Sequence, residues 1–315
     1  MSIHIVDFSK AEAEKWDKFI EKSYNGTIFH TRRFLSYHPE ERFVDKSLIL
    51  KENGRWLGVI PAAERGKTIS SHPGASYGGI VLAEPFSINK TYTVVHSLLS
   101  YLRDKKFKKI EMVLPPVIYH STPCNYLDFV LMKENFSYKK RELSGYIPLI
   151  SKPFNLFKRE ARTATRKAER EGLIVKEGGS LEEFYKILEK NLKMRHNVKP
   201  THTLAELIKL KELLPKKVKF FSSIYKKEQI AGTLLFLANR RVILAFYISH
   251  KEEFQHLRPV NILFYHVIKW AYKKHYKFLD LGTFTLDMEP NFGLARFKES
   301  LGARGIFRDY LELFL

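Results

Sequence analysis

The sequence predicts an α+β protein built from two similar units, each a mixed sheet flanked by helices. Length is the first reason: 315 residues exceed one ordinary core, at about 100 to 200 residues per domain. Composition is the second, since 44% hydrophobic and 28% charged residues describe a globular chain rather than a disordered one. The third is a repeated order of elements. A hairpin with a glycine in its second strand (Gly58, then Gly232) leads to an amphipathic helix, a basic turn with an aromatic, and a strand carrying an acid between apolar residues. "LLSYLRDKKFKKIEM" in the first half answers to "VIKWAYKKHYKFLDL" in the second. The boundary falls near Ile150 to Pro153, giving units 1–151 and 152–315.

In the first half, Ile3 to Phe8 reads as a strand, and Ala11 to Glu21 as a helix with Trp16, Phe19 and Ile20 on one face. "SLILKENGRWLGVIPAA" is a hairpin turning at Asn53 and Gly54, a pair suited to positive φ. A Gly-rich loop, "SHPGASYGG", precedes a helix from Ile88 to Lys106 and the strand "KIEMVL". Strands near Tyr126 to Met132 and Ser144 to Ile150 complete this half.

The second half opens with one highly charged helix, "KPFNLFKREARTATRKAEREG", stopped by Gly172. A strand, "LIVKEG", and helices at Leu181 to His196 and Leu204 to Leu214 follow. The runs "VKFFSSIY", "QIAGTLLFLA" and "RVILAFYIS" form a three-strand meander. A helix from Val260 to Lys274, the strand "KFLDLG", a helix bearing Lys298 and the strand "GIFRDYLELFL" end the chain.

Lysine and arginine outnumber acids 54 to 34, a formal charge of +20 that favours anionic partners: nucleic acid, phosphorylated metabolites or an anionic membrane surface. The basic residues are spread through the chain, so charge alone selects none of these. Cys124 is the only cysteine, which excludes an intramolecular disulfide and a cysteine-based zinc site. "MSIHIVDFSKAEAEKW" lacks the apolar core of a signal peptide, and no run approaches the roughly 18 apolar residues of a membrane span, so a cytoplasmic protein is expected. The Gly-rich loop lacks the Gly-Lys-Ser/Thr ending of a P-loop, and His196 and His202 do not have HExxH spacing. No metal and no resident cofactor are expected.

The most informative stretch is "NFGLARFKESLGARGIF", residues 291–307. Leu294, Phe297 and Leu301 share a helix face, and Lys298 lies only roughly 40° from Leu294. A lysine there either runs its stem over apolar surface with a wet ammonium, or holds its charge in a pocket for a purpose.

Three stretches in the second half resemble the FemA/FemB/FemX type of aminoacyl-tRNA-dependent peptidyltransferases, a group with tandem GNAT-like acyltransferase domains. They are "RTATRKAEREG", "RPVNILFYHVIKWAYKKHYKFLDLGT" and "FKESLG", the last close to that family's Phe-Lys-x-x-Phe-Gly element. "GTIFHTRRFLSYH" gives a weaker echo near the start. The resemblance implies two tandem GNAT-like domains and an acyltransferase whose inter-domain cleft orients both substrates. It places Lys298 at the junction of donor and acceptor, where a fixed cation stabilises the oxyanion that forms as an amine attacks an ester.

Arg162, Arg166 and Arg170 follow at i, i+4 and i+8 with Lys167 beside them, and read either as a solvated helix face or as a donor phosphate-binding face. Arg195 and Lys199, in "KMRHNVKP", are similar to a family segment that binds the acceptor's diphosphate, although a helix C-terminus favours cations in any case. Tyr77, Gly78, Tyr247 and Phe297 complete the expected substrate-binding set, and Asp280 is a candidate base or the partner of a nearby cation.

The chain also departs from the family. Ser36 stands where family members that use nucleotide-linked muropeptides often carry a lysine. Leu301 replaces the motif's second aromatic. "EFQHLRPVNILF" has no glycine before the long helix, and Pro259 lacks an N–H, which disfavours an acyl-CoA pyrophosphate cradle. The expected donor is therefore aminoacyl-tRNA, with acyl-CoA as the other co-substrate weighed, and the expected acceptor is an amine-bearing cell-wall or envelope precursor. The alternatives are an acyl-CoA-dependent N-acetyltransferase and a non-enzymatic basic nucleic-acid-binding protein on a degenerate GNAT scaffold.

Overall fold

The computed structural model describes residues 3–315, apart from the side chains of Arg195 and His196. In chain order the first part comprises β1 (His4–Asp7), α1 (Ala13–Lys22), α2 (Arg32–Leu35), β2 (Val44–Asp45), β3 (Leu48–Glu52), β4 (Arg55–Ile60), β5 (Ala63–Arg65), β6 (Thr68–Ser71), β7 (Val81–Leu82), α3 (Ile88–Asp104), β8 (Lys109–Val113), α4 (Tyr126–Lys133) and β9 (Ser137–Pro148). The second comprises α5 (Pro153–Leu156), α6 (Arg159–Arg170), β10 (Ile174–Glu177), α7 (Leu181–His196), α8 (Leu204–Leu213), β11 (Val218–Tyr225), β12 (Glu228–Leu237), β13 (Val242–His250), α9 (Pro259–Lys273), β14 (Phe278–Thr283), β15 (Thr285–Leu286), β16 (Glu289–Pro290), α10 (Phe292–Ser300) and β17 (Arg304–Phe314).

Two compact units result. One runs to Glu142 and takes in Phe307–Leu315; the other is Leu143–Ile306. This differs from the single division after residue 151 that the sequence suggests. The last residues join the first unit because β17 pairs antiparallel with β8, Leu311 opposite Met112 and Leu313 opposite Ile110, and both leucines are buried in its core.

In the first unit the hairpin β3–β4 turns through Asn53 and Gly54, whose φ angles are +48° and +77°. Helix α3 starts at Ser87, whose hydroxyl accepts the Lys90 N–H, and it buries Val94, Val95, Leu98, Leu99 and Leu102 on one face. Those side chains meet Leu48 and Leu50 of β3 and Ile110 and Met112 of β8. Residues 126–132, expected as a strand, are helical. Leu127, Val130 and Leu131 recur at helical spacing and pack into the same core.

In the second unit the strands run in the order β10-β11-β12-β13-β14-β9. The first four are antiparallel, β14 is parallel to β13, and β9 is antiparallel to β14. Gly232 on β12 lets two rings close on the strand, since a Cβ there would lie 2.8 Å from both Phe184 and Phe220. Helix α9 covers the other face through Leu263, Phe264, Val267, Ile268 and Ala271, packed on Leu235, Ile243 and Leu279. The expected single charged helix is broken in two. Phe157 takes an extended ψ of 139° between α5 and α6 and turns its ring into the core. As the sequence predicts, α6 ends just before Gly172, whose φ is +82°.

Candidate active site

Parallel pairing of β13 and β14 covers only Val242–Leu244 against Phe278–Asp280. Beyond it β14 leaves the regular ladder. Asp280 faces Tyr146 of β9 and Thr283 faces Ser144, so three steps along β14 span two along β9, and β14 carries one extra residue. Gly282 lies within this bulge at φ +71°, in the left-handed region that favours glycine. At this bulge Lys298 takes the carbonyls of Gly282 and Thr283: its Nζ donates to Gly282 O at 2.9 Å and to Thr283 O at 2.7 Å.

Helix α10 brings the lysine there. Asn291 caps it, its side chain accepting the Leu294 N–H at 2.9 Å. Leu301, just past the helix, is buried in the core and Phe297 packs against that core, whereas Leu294 is exposed. Only the C-terminal half of the helix is docked, so the packing face expected at Leu294, Phe297 and Leu301 is confined to the last two. Lys298 itself is 3% exposed. Gly145 on β9 lies beside it: a Cβ there would stand 3.4 Å from Lys298 Cδ, an ordinary contact, and 3.3 Å from the Phe284 ring.

Burial pulls the Lys298 ammonium down to about 8, and the nearby Asp280 carboxylate partly offsets this. Asp280 is fully buried and accepts the Gly282 N–H at 2.7 Å, so it shapes the bulge that holds the lysine. The Ser144 hydroxyl, opposite Thr283, is buried with no hydrogen-bond partner among the described residues. Two of the three ammonium N–H groups are engaged by these carbonyls, so one N–H remains beyond the two bonds. A cation fixed in this way stabilises developing negative charge without reorganising.

The other expected residues lie as follows. Phe297 adjoins Lys298 on α10. Tyr247 is buried on β13 and its hydroxyl accepts the His202 N–H at 3.2 Å; burial raises its pKa. Lys199 is exposed between α7 and α8, and the Arg195 side chain lies outside the described residues. Tyr77 and Gly78 belong to the first unit. Tyr77 is buried against Phe29 and Tyr119, with the Arg308 guanidinium 5.0 Å from its ring centre. Gly78 donates to Val113 O at 2.7 Å, and its own carbonyl meets His30 Nε2 at 3.0 Å.

On α6, Arg162, Arg166 and Arg170 are exposed and Lys167 is half-buried. Arg166 and Arg170 line an open groove of about 630 Å³ with Thr163 and Glu169. The Arg166 guanidinium lies 5.6 Å from the Phe154 ring centre, and Phe154 stacks on Tyr265 of α9 at 4.6 Å. Arg162 is not part of the groove lining. Sequence reasoning misses Ser144, Gly145 and the two carbonyls; the glycine closing "FLDLG" is the one local signal. Among the described residues, no group of three His, Cys, Asp or Glu side chains could hold a metal ion.

Residues 156–299 match a family model described as an acetyltransferase (GNAT) domain. No curated protein sequence matches the chain significantly. Among solved structures, FemX aligns over 99% of this chain and 97% of its own with a TM-score of 0.73 at 14% identity. L-PGS from Bacillus licheniformis aligns over 97% and 92%, with a TM-score of 0.60 at 12% identity. A tandem GNAT protein from the clavulanic acid biosynthesis pathway aligns over 99% and 98%, with a TM-score of 0.56 at 9% identity. At these identities the likeness concerns the fold. Residues 156–299 are thus similar to a GNAT acetyltransferase domain, within a chain whose fold is like that of tandem GNAT proteins.

Proposed function

We propose that the protein transfers an aminoacyl group from aminoacyl-tRNA to an amine on a cell-envelope precursor. The observation that carries this reading is Lys298: a buried ammonium, held by the carbonyls of Gly282 and Thr283, at the position of the family's Phe-Lys element. The acceptor amine attacks the ester carbonyl of the donor, and the Lys298 cation stabilises the oxyanion. That attack forms the C–N bond, and collapse of the tetrahedral intermediate re-forms the carbonyl and breaks the C–O bond; the amine's proton passes, through water, to the departing ribose oxygen. Holding both substrates in register supplies the rest of the rate, with no covalent enzyme intermediate.

The entry to α9 supports the choice of donor. Arg258 has φ +60°, Pro259 offers no N–H, and the Pro259 carbonyl accepts from Ser223 Oγ at 3.0 Å. A backbone cradle for a pyrophosphate is poorly served by such a start. The exposed arginines of α6 suit the phosphates of an RNA instead. The match to a family model described as an acetyltransferase favours acyl-CoA as the second reading.

Titration with aminoacyl-tRNA, uncharged tRNA and acetyl-CoA at near-physiological salt tests the reading. Preference for charged over uncharged tRNA is expected. Binding of acetyl-CoA alone moves the activity to small-acyl transfer. Equal, salt-sensitive binding of both tRNA forms, with no transfer, makes the protein a nucleic-acid binder.

A further inference from the structure

Between β14 and α10 the chain forms a ribbon of its own, β15 paired with β16, which no third strand joins among the described residues. Its turn residues Asp287 and Met288 have φ of +49° and +68°. Two successive positive φ angles suit a two-residue hairpin, and the second place ordinarily goes to glycine. Met288 stands there instead, 57% exposed. Around it Leu286 is 70%, Phe292 74% and Leu294 37% exposed. Single exposed apolar residues need no explanation, but a cluster within one short segment marks an interaction surface.

We propose that this ribbon and the first turn of α10 dock the protein on an anionic lipid bilayer, with Leu286, Met288 and Phe292 entering the headgroup boundary. The apolar tips stand on a two-stranded ribbon and a helix start, and a soft interface accepts separate tips without a matching shape. The chain's +20 charge draws it to anionic lipid over distance. The ribbon itself carries Asp287 and Glu289, so the attraction comes from its neighbours. Arg296 is exposed on α10, and α6 meets the C-terminal end of α10 where Lys158 N donates to Ser300 O at 2.8 Å; Lys158 Nζ pairs there with Glu299 at 3.7 Å, and Arg159 and Arg162 are exposed. No helix among the described residues is long and apolar enough to cross a membrane, so the association is with the surface. Phe292 precedes Lys298 by six residues, about 9 Å along the helix, which keeps the lysine near that surface. The docking stands whether or not the transfer reading does.

Cosedimentation of the full chain with phosphatidylcholine vesicles, with and without phosphatidylglycerol, tests it. The wild type is expected to bind the anionic vesicles, and a Leu286→Ser/Met288→Ser/Phe292→Ser variant to need at least about tenfold more lipid at the same salt. A Phe292→Trp variant gives a direct reading: its emission shifts to the blue on anionic vesicles, and the wild type with its three native tryptophans supplies the correction. The proposal fails if the wild type ignores anionic vesicles, if the triple variant binds as well as wild type, or if the Trp emission stays unmoved. It also fails if the triple variant abolishes a wild-type dimer in ultracentrifugation while leaving lipid binding unchanged, which assigns the patch to a second copy.

Discussion

Lys298 Nζ sits 2.7 Å from the carbonyl oxygen of Thr283, a group turned toward it because β14 holds an extra residue against β9. The lysine and the bulge therefore depend on each other. Without the ammonium, two carbonyls lose their donor; without the bulge, the ammonium is buried with no acceptor.

Replacing Lys298 with methionine keeps the stem's apolar packing and removes the charge. Transfer should fall by about 100- to 1000-fold, the usual loss for one oxyanion donor. Turnover within a few fold of wild type would remove Lys298 from the reaction.

The pH dependence of this group has a definite sign. Its folded pKa of about 8 lies below the ordinary value of 10.5, so between those values the unfolded chain binds more protons. Stability contributed here rises with pH across that window, by roughly 3 kcal/mol in all. The transfer rate, which needs the cation, falls above pH about 8. Denaturant unfolding of wild type and Lys298→Met at pH of about 7.5 and about 10 checks the first statement, and a rate profile the second. A wild-type profile that matches that of Lys298→Met at alkaline pH would show that the reaction does not use the Lys298 cation.

Acid acts on the first unit. Burial holds His30 and His120 at about 4 and His72 at about 3, against an ordinary 6.5. The unfolded chain binds more protons as pH falls from about 6.5 to about 4, so stability declines across that range. His30 alone accounts for roughly 3 kcal/mol. His30→Gln should flatten the decline in urea midpoints between pH of about 7 and about 4.5. An unchanged slope would put the acid sensitivity elsewhere.

Gly78→Ala tests a position that the sequence points to as shaping the acceptor site. A Cβ would lie 2.0 Å from the Ser71 carbonyl oxygen, backbone that cannot yield. A loss of about 3 kcal/mol or more is expected, seen as a lowered thermal midpoint. A variant of wild-type stability and reduced transfer would instead give Gly78 a direct part in the site.

The arginines of α6 are tested by salt. Arg166→Gln and Arg170→Gln should each weaken tRNA binding across sequences and reduce the salt slope by about 1. Unchanged slopes would leave α6 a solvated face.

Much of the fold is legible because its signals are local. Asn53-Gly54 fixes a hairpin wherever it falls between alternating strands, and the apolar periods of α3 and α9 need no partner to be read. "YLDFVLM" misleads because a short apolar run fits a strand or a buried helix equally. The site is legible only in its lysine. Ser144, Gly145 and the carbonyls that receive Lys298 come together through cross-strand register, which a sequence does not display. Tyr247 can be placed on a strand, yet its bond to His202 depends on a loop that returns from another element.

The return of β17 to β8 has a consequence for biosynthesis. Leu311 and Leu313 complete a core whose other buried members all lie between Tyr24 and Phe136, far earlier in the chain. The N-terminal half is therefore made well before the strand that completes this core, and its Tyr24–Phe136 cluster stays without Leu311 and Leu313 until the end of the second unit has been synthesised.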